Sequence, residues 1–177
     1  MRFCLFRKRI YERNDMSQIE EFKEVIRRLR AKDGCPWDRE QTHGSLKKDI
    51  MEEAGELLCG IDLYEETGIA DSMREELGDL LMLIVMECEI ASEEGLFDFE
   101  DVAGDVKDKM IRRHPHVFGD VKADTTEEVL KNWDIIKRDE KKGREWMDAN
   151  IPQAFDEAAE LLLKAKEKKL RKLKEQA

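Results

Sequence analysis

The 177-residue chain is short of the residues that break helices and of those that build sheets: it has 3 Pro, 10 Gly and 7% aromatic residues, beside 42% charged and 41% hydrophobic ones. That balance disfavours β-sandwiches and disordered tails, so a soluble, mostly helical bundle is expected. The length corresponds to about one domain. Cysteine is sparse as well. Cys4, Cys35, Cys59 and Cys88 form no CxxC pair, which excludes a zinc knuckle or a thioredoxin motif and fits reduced thiols in a cytoplasmic protein. No apolar run approaches the roughly 18 residues that cross a bilayer, and the apolar stretch at 3–6 is too short for a signal-peptide core. Positive charge is in deficit, 32 Lys and Arg against 42 Asp and Glu for a net charge of −10. This disfavours a general nucleic-acid binder.

What is present is charge unevenly placed. Residues 49–101 carry 18 acidic side chains and a single basic one, Arg74, whereas residues 164–177 carry seven basic and two acidic ones. The middle of the chain is an anionic block, and the lysine-rich end reads as a solvated helix terminus.

Helical periodicity organises the rest. Residues 1–15 read as a poorly ordered extension, with Met16 a candidate initiator, and Ser17-x-x-Glu20 opens a helix on the apolar series Ile19, Phe22, Ile26 and Leu29. It should end near Lys32, before a loop over residues 33–44 that holds Trp37. A second helix is expected over residues 45–63, with Leu46, Ile50, Ala54, Leu57, Leu58 and Ile61 along one stripe. A third should begin at Ser72-x-x-Glu75 and run to about Glu94 on Leu77, Leu80, Leu81, Ile84, Val85, Cys88 and Ala91. A fourth follows from about Asp98 to just before Pro115, a His114-Pro-His116 loop comes next, and a fifth runs from Thr125-x-x-Glu128 to about Lys142. The expected architecture is all-α: a domain over residues 16–150 and a long basic C-terminal helix over residues 151–177.

Within the acidic block, Glu53 and Glu56 are three apart on the second helix, and Glu76 and Asp79 are three apart on the third. Each pair therefore projects from one side of its helix. With about ten residues of turn between them, the two helices can pack antiparallel and bring the four acids together. Both pairs border the apolar stripes, where unpaired carboxylates repel and lose hydration. A hard divalent cation, Mg²⁺ or Mn²⁺, satisfies four oxygen ligands without histidine or thiol. Gly55 and Gly78 fall inside the pairs at a cost of about 1 kcal/mol each in helix propensity, and mid-helix glycine marks close approach by a neighbour or ligand.

The segments Cys35-Pro-Trp-Asp38 with Gln41-Thr42, Glu52-Glu-Ala-Gly-Glu56, Glu75-Glu-Leu-Gly-Asp-Leu-Leu81 and Arg112-Arg-His-Pro-His-Val-Phe-Gly119 resemble the MazG family of nucleoside triphosphate pyrophosphohydrolases. The resemblance runs from about Ser17 to Lys142 and continues weakly to Glu167, and ExxE followed by ExxD is that superfamily's metal signature. It implies an all-α bundle of the NTP pyrophosphohydrolase type, Mg²⁺ dependence, hydrolysis of NTPs to the monophosphate and pyrophosphate, and assembly as homodimers or higher oligomers. Chemically, a metal held by carboxylates would reverse the local field for an anionic triphosphate and lower the pKa of a water aimed at the α-phosphorus. Glu52 is a candidate base for that water, and Glu53 is the alternative, orienting it. The resemblance further implies that Lys109 and Arg113 hold triphosphate oxygens and that Trp133 and Lys137 lie near the nucleotide; Trp133 and Trp37 read equally as stacking faces or as core. His114 and His116, with no third soft ligand nearby, read as a structural turn.

Three other readings are available. A carboxylate-bridged di-iron bundle needs Glu-x-x-His pairs, and none of the 3 histidines lies on the second or third expected helix. A non-catalytic helical interaction module could retain the fold without activity. A phosphoribosyl-ATP or dUTP-preferring pyrophosphatase belongs to the same superfamily.

Overall fold

The computed structural model describes residues 16–175, and the extension expected over residues 1–15 lies outside them. Helix α1 spans Gln18–Arg30, and the Ser17 hydroxyl accepts from the Glu20 amide at 3.4 Å. The loop expected next contains a single turn, α2 (Pro36–Arg39), with Pro36 at its first position, where no amide hydrogen is needed. Arg30 closes this segment onto the body. Its guanidinium donates to the Asp38 and Gln41 carbonyls at 2.6 and 3.2 Å and pairs with Glu93 at 2.7 Å.

Helix α3 (His43–Thr67) begins two residues earlier than its apolar pattern suggests, because Thr42 and Ser45 form a reciprocal capping box. It stops at Gly68, which adopts a left-handed φ of 75°. Helix α4 (Asp71–Glu93) follows after only residues 68–70, and Ala70, not Ser72, is its N-cap. The expected Ser72-x-x-Glu75 box is therefore absent: in so tight a turn the packing of α4 against α3 decides where the helix begins, and a local cap of about 1 kcal/mol is overruled.

The core is built mainly from α1, α3 and α4. Ile26, Leu46, Leu83, Val85, Met86 and Ile90 are buried together, with Ile19, Phe22, Leu29, Ile50 and Phe99 packed around them. The expected stripe on α4 is thus partly misplaced. Leu77, Leu81 and Ile84 are 51%, 38% and 49% exposed, because the buried face of α4 turns on 83, 86 and 90. Close approach by a neighbour does occur at a glycine, but not at the two inside the acidic pairs. A Cβ on Gly78 would meet nothing within 4 Å and one on Gly55 only Leu162 at 3.4 Å, whereas on Gly60 it would lie 2.8 Å from the Met73 amide nitrogen. Gly60 is where α3 and α4 cross.

Helix α5 (Phe99–Arg113) opens on an Asp98/Asp101 capping box, and Lys23 ties it to α1 by pairing with Glu100 at 2.5 Å while lying over the Phe99 ring. The expected His114–Phe118 loop is instead a single turn, α6 (Pro115–Phe118), again with proline at the first position. Helix α7 (Thr126–Lys141) carries the expected Thr125/Glu128 box. A 3₁₀ turn (Glu145–Asn150) leads into α8 (Ile151–Glu175), which lies along α3.

Gly60→Ala should therefore destabilise the protein although alanine is the better helix former. The added methyl meets backbone, and overpacking of this kind costs about 1–3 kcal/mol, more than the roughly 1 kcal/mol regained in propensity. Urea unfolding of the variant beside wild type measures it, and an unchanged or raised midpoint would contradict the assigned crossing.

Candidate metal and nucleotide site

The short turn makes α3 and α4 antiparallel neighbours, and their acidic faces meet. Carboxylate oxygens of Glu53 on α3 and of Glu76 and Asp79 on α4 lie within 4.8 Å of one another, all half-buried. Burial, followed by the charges of Glu56, Asp79 and Glu76, pushes the Glu53 carboxyl up to about 7. Burial and the charges of Glu56 and Asp79 likewise raise Glu76. Three crowded anions cannot all stay ionised without a cation. The donor set is oxygen only, with no thiol or imidazole in the cluster, so it fits Mg²⁺ or Mn²⁺ and not a soft metal.

The fourth expected ligand is turned elsewhere. Glu56 accepts from Lys169 of α8 at 2.6 Å, and Glu52 accepts from Lys168 at 2.8 Å with Lys169 at 3.8 Å. Burial works to raise the Glu52 pKa, but the Lys168 hydrogen bond and the charges of Lys168, Lys169 and Lys172 outweigh it and hold the carboxyl below its ordinary value. Lys169 is raised, first by its bond to Glu56. The lysine-rich end is therefore not simply a solvated terminus. Its opposition in sign to the acidic block was the available signal, and the spacing within α8 could not reveal which acids it would meet.

Four of the expected nucleotide-binding residues, Lys109, Arg113, Trp133 and Lys137, lie on α5 and α7. Arg113 donates twice to Glu140, at 2.6 and 3.0 Å, and its guanidinium sits 5.0 Å from the centre of the Trp133 ring. Arg112 reaches the same carboxylate at 2.6 Å. Glu140 escaped the reading of the sequence, although it follows Trp133 by two helical turns and so shares its face. The ring of His114 meets Trp133 edge-on at 5.1 Å, and its Nδ1 lies 2.6 Å from the Met110 carbonyl oxygen. Lys109 is half-buried and Lys137 exposed on the same two helices, while Trp37, on α2, is 63% exposed and so is not core. No hydrogen bond or ion pair among the described residues joins Arg113, Lys109 or Lys137 to the carboxylate cluster. A third acidic contact was also missed: His43 at the start of α3 bonds Glu87 of α4, and its other nitrogen lies 3.7 Å from Glu94.

Comparison with known proteins bears on this region directly. Residues 41–118, which include the whole carboxylate cluster, match the model of the MazG nucleotide pyrophosphohydrolase domain. The chain is 48% identical over 124 residues to the uncharacterized protein YabN of Bacillus subtilis, covering 70% of this chain and 24% of that one. It is 42% identical over 127 residues to a nucleoside triphosphate pyrophosphohydrolase of Escherichia coli (71% and 47% covered). It is 45% identical over 123 residues to the nucleoside triphosphate pyrophosphohydrolase/pyrophosphatase MazG of Thermotoga maritima (70% and 45% covered). The chain spans between a quarter and about half the length of these relatives.

The crowded carboxylates set a pH dependence. The folded-state pKa of Glu53, about 7, lies above its ordinary 4.5, so the folded protein keeps a proton that the unfolded chain has lost. That contribution is complete below the lower value and is lost as pH rises through the upper one. His43, raised chiefly by its bond to Glu87, works in the same direction. Metal-free protein should therefore melt higher at about pH 5 than at about pH 8. Glu53→Gln should flatten that slope and melt above wild type at the higher pH. Circular dichroism melts in EDTA test this, and a wild-type melting temperature that climbs over the interval would contradict it.

Proposed function

From the MazG nucleotide pyrophosphohydrolase domain that this chain carries over residues 41–118, we infer that the protein hydrolyses nucleoside triphosphates, ribo or deoxy, to the monophosphate and pyrophosphate. The observation that carries the reading is the meeting of Glu53, Glu76 and Asp79 across the α3/α4 seam, with their oxygens within 4.8 Å. These three, with Glu56 beside them, would hold Mg²⁺ or Mn²⁺. Such an ion supplies two things when bound: it lets an anionic triphosphate approach carboxylates, and it acidifies a water.

The chain's own residues do the rest. In the reaction a water oxygen bonds to the α-phosphorus, the bond from that phosphorus to the bridging oxygen breaks, and pyrophosphate leaves with the electron pair. The water's proton has to go to a carboxylate. Glu53, on the cluster, and Glu52, paired with Lys168 at 2.8 Å, are the groups for orienting the water and taking the proton. Arg113 offers a planar fork for phosphate oxygens, with Lys109 and Lys137 as point charges. Glu140 and the Trp133 face hold that fork in place. Trp133 and the exposed Trp37 present flat faces for a base.

Large apolar side chains remain on the outside of α3 and α4, among them Leu58 at 65% and Leu77 at 51% exposure. This supports assembly as a homodimer or larger, since exposed apolar surface of this kind marks an interface. No helix among the described residues is long and apolar enough to cross a membrane, and the free thiols of Cys35, Cys59 and Cys88 suit a reducing cytoplasm.

Purified protein should release pyrophosphate and nucleoside monophosphate from at least one NTP or dNTP only when Mg²⁺ or Mn²⁺ is added. Asp79→Asn should lower the rate by about 100-fold or more while leaving the helical spectrum intact. Stepwise appearance of orthophosphate through the diphosphate would refute the reaction. Light scattering should show a dimer or larger species, and a monomer at micromolar concentration would remove the assembly from the reading.

A further inference from the structure

The C-terminal helix lies beyond the residues that match the domain model, yet it reaches the candidate metal site. α8 packs along α3 with Leu162 3.4 Å from the position a Cβ on Gly55 would take, and Lys47 and Glu157 pair at 3.0 Å toward its start. Between the two helices is a cleft of about 400 Å³, walled by Met51, Gly55, Cys59, Leu162 and Ala165, with Glu56 and Lys169 on its rim. At that rim the Lys169 ammonium sits 2.6 Å from Glu56, and Lys168 sits 2.8 Å from Glu52. Glu56 is one helical turn from Glu53, close enough that its charge bears on both Glu53 and Glu76.

We propose that Lys168 and Lys169 are positioning residues of the metal site: they pair with Glu52 and Glu56 beside the cluster, and Lys169 is the internal cation that a divalent metal displaces from Glu56. The reason is competition for one anion. A carboxylate bonded to an ammonium at 2.6 Å cannot serve a metal with the same oxygen, and two cations held a few ångströms apart repel. Binding of metal at Glu53, Glu76 and Asp79 therefore draws Glu56 away from Lys169 and frees that end of α8. Lys168 keeps its hold on Glu52, which is not among the expected metal ligands. The released Lys169 ammonium then lies at the edge of the site, where the nearest new anion would be the triphosphate itself.

The proposal rests on the metal reading above, and its test needs neither nucleotide nor turnover. Mn²⁺ affinity is measured by titration calorimetry for wild type, Lys169→Met and Lys169→Arg. Removing a competing charge at about 4 Å is worth about fivefold even at the dielectric of water, so Lys169→Met should bind Mn²⁺ about fivefold more tightly or better, and Lys169→Arg should stay near wild type. Hydrogen exchange gives a second readout. Adding Mn²⁺ to wild type should speed exchange in α8 beyond residue 164 while slowing α3 and α4, and in Lys169→Met the α8 response should disappear. A lysine that merely braces the helix would lower thermal stability on substitution but leave Mn²⁺ affinity alone. Equal or weaker Mn²⁺ binding by Lys169→Met, with wild type binding the ion, overturns the counter-ion role alone. Wild type that binds no Mn²⁺ at all overturns the metal reading and this proposal with it.

Discussion

Mutual repulsion among the carboxylates on the α3/α4 seam is the constraint to which the rest of the site answers. Glu53, Glu76 and Asp79 are drawn within 4.8 Å of one another by packing of the two helices, a packing that the apolar residues further along α4 enforce. Half-buried anions at that spacing have three ways to lower their energy: hold a proton, pair with a side-chain cation, or ligate a metal. Two of the three are visible at once. Glu53 holds its proton up to about 7, and Glu52 and Glu56 have recruited the lysines of α8. The third remains open to the donor set that is left.

This division follows the length of α4. Its first turns carry Glu76 and Asp79 with Leu77 and Leu81 exposed, and its later turns carry the buried Leu83, Val85, Met86 and Ile90 against Ile26 and Leu46. One end of the helix pair supplies rigidity and the other spends some of it on an unfavourable charge arrangement, a common relation between stability and active sites. Arg30, with its side chain only 6% exposed, and the Glu93 and carbonyl partners it holds keep the core end closed where the chain turns between α1 and α3.

The α5/α7 pair repeats the same logic with the sign reversed. Arg112 and Arg113 would repel each other across consecutive positions, and Glu140 sits between them and satisfies both. Trp133 covers the guanidinium face of Arg113 from the other side. A cation fixed between a carboxylate and an indole has little rotamer freedom left to lose.

Features that depend on local spacing were legible from the residues alone. Helical period placed Glu53 with Glu56 and Glu76 with Asp79 on common faces, and the polar residues Thr125 with Glu128 and Asp98 marked helix starts that their own hydroxyl and carboxylate groups cap. Charge composition separated an acidic middle from a basic end. Tertiary structure alone decided which faces turn inward and which distant charges meet. The turn between α3 and α4 is three residues, not about ten, so Ser72 lost its cap and the crossing fell at Gly60, leaving Gly55 and Gly78 without backbone contact. Leu77, Leu81 and Ile84 fit a helical stripe as well as Leu83 and Met86 do, and periodicity cannot rank faces that are both apolar. Lys169 finds Glu56 across 113 residues of chain, and Glu140 finds Arg113 across 27. Ion pairs of that separation have no local pattern, because they are fixed by how whole helices dock, and docking is set by the burial of apolar area far from the charges themselves.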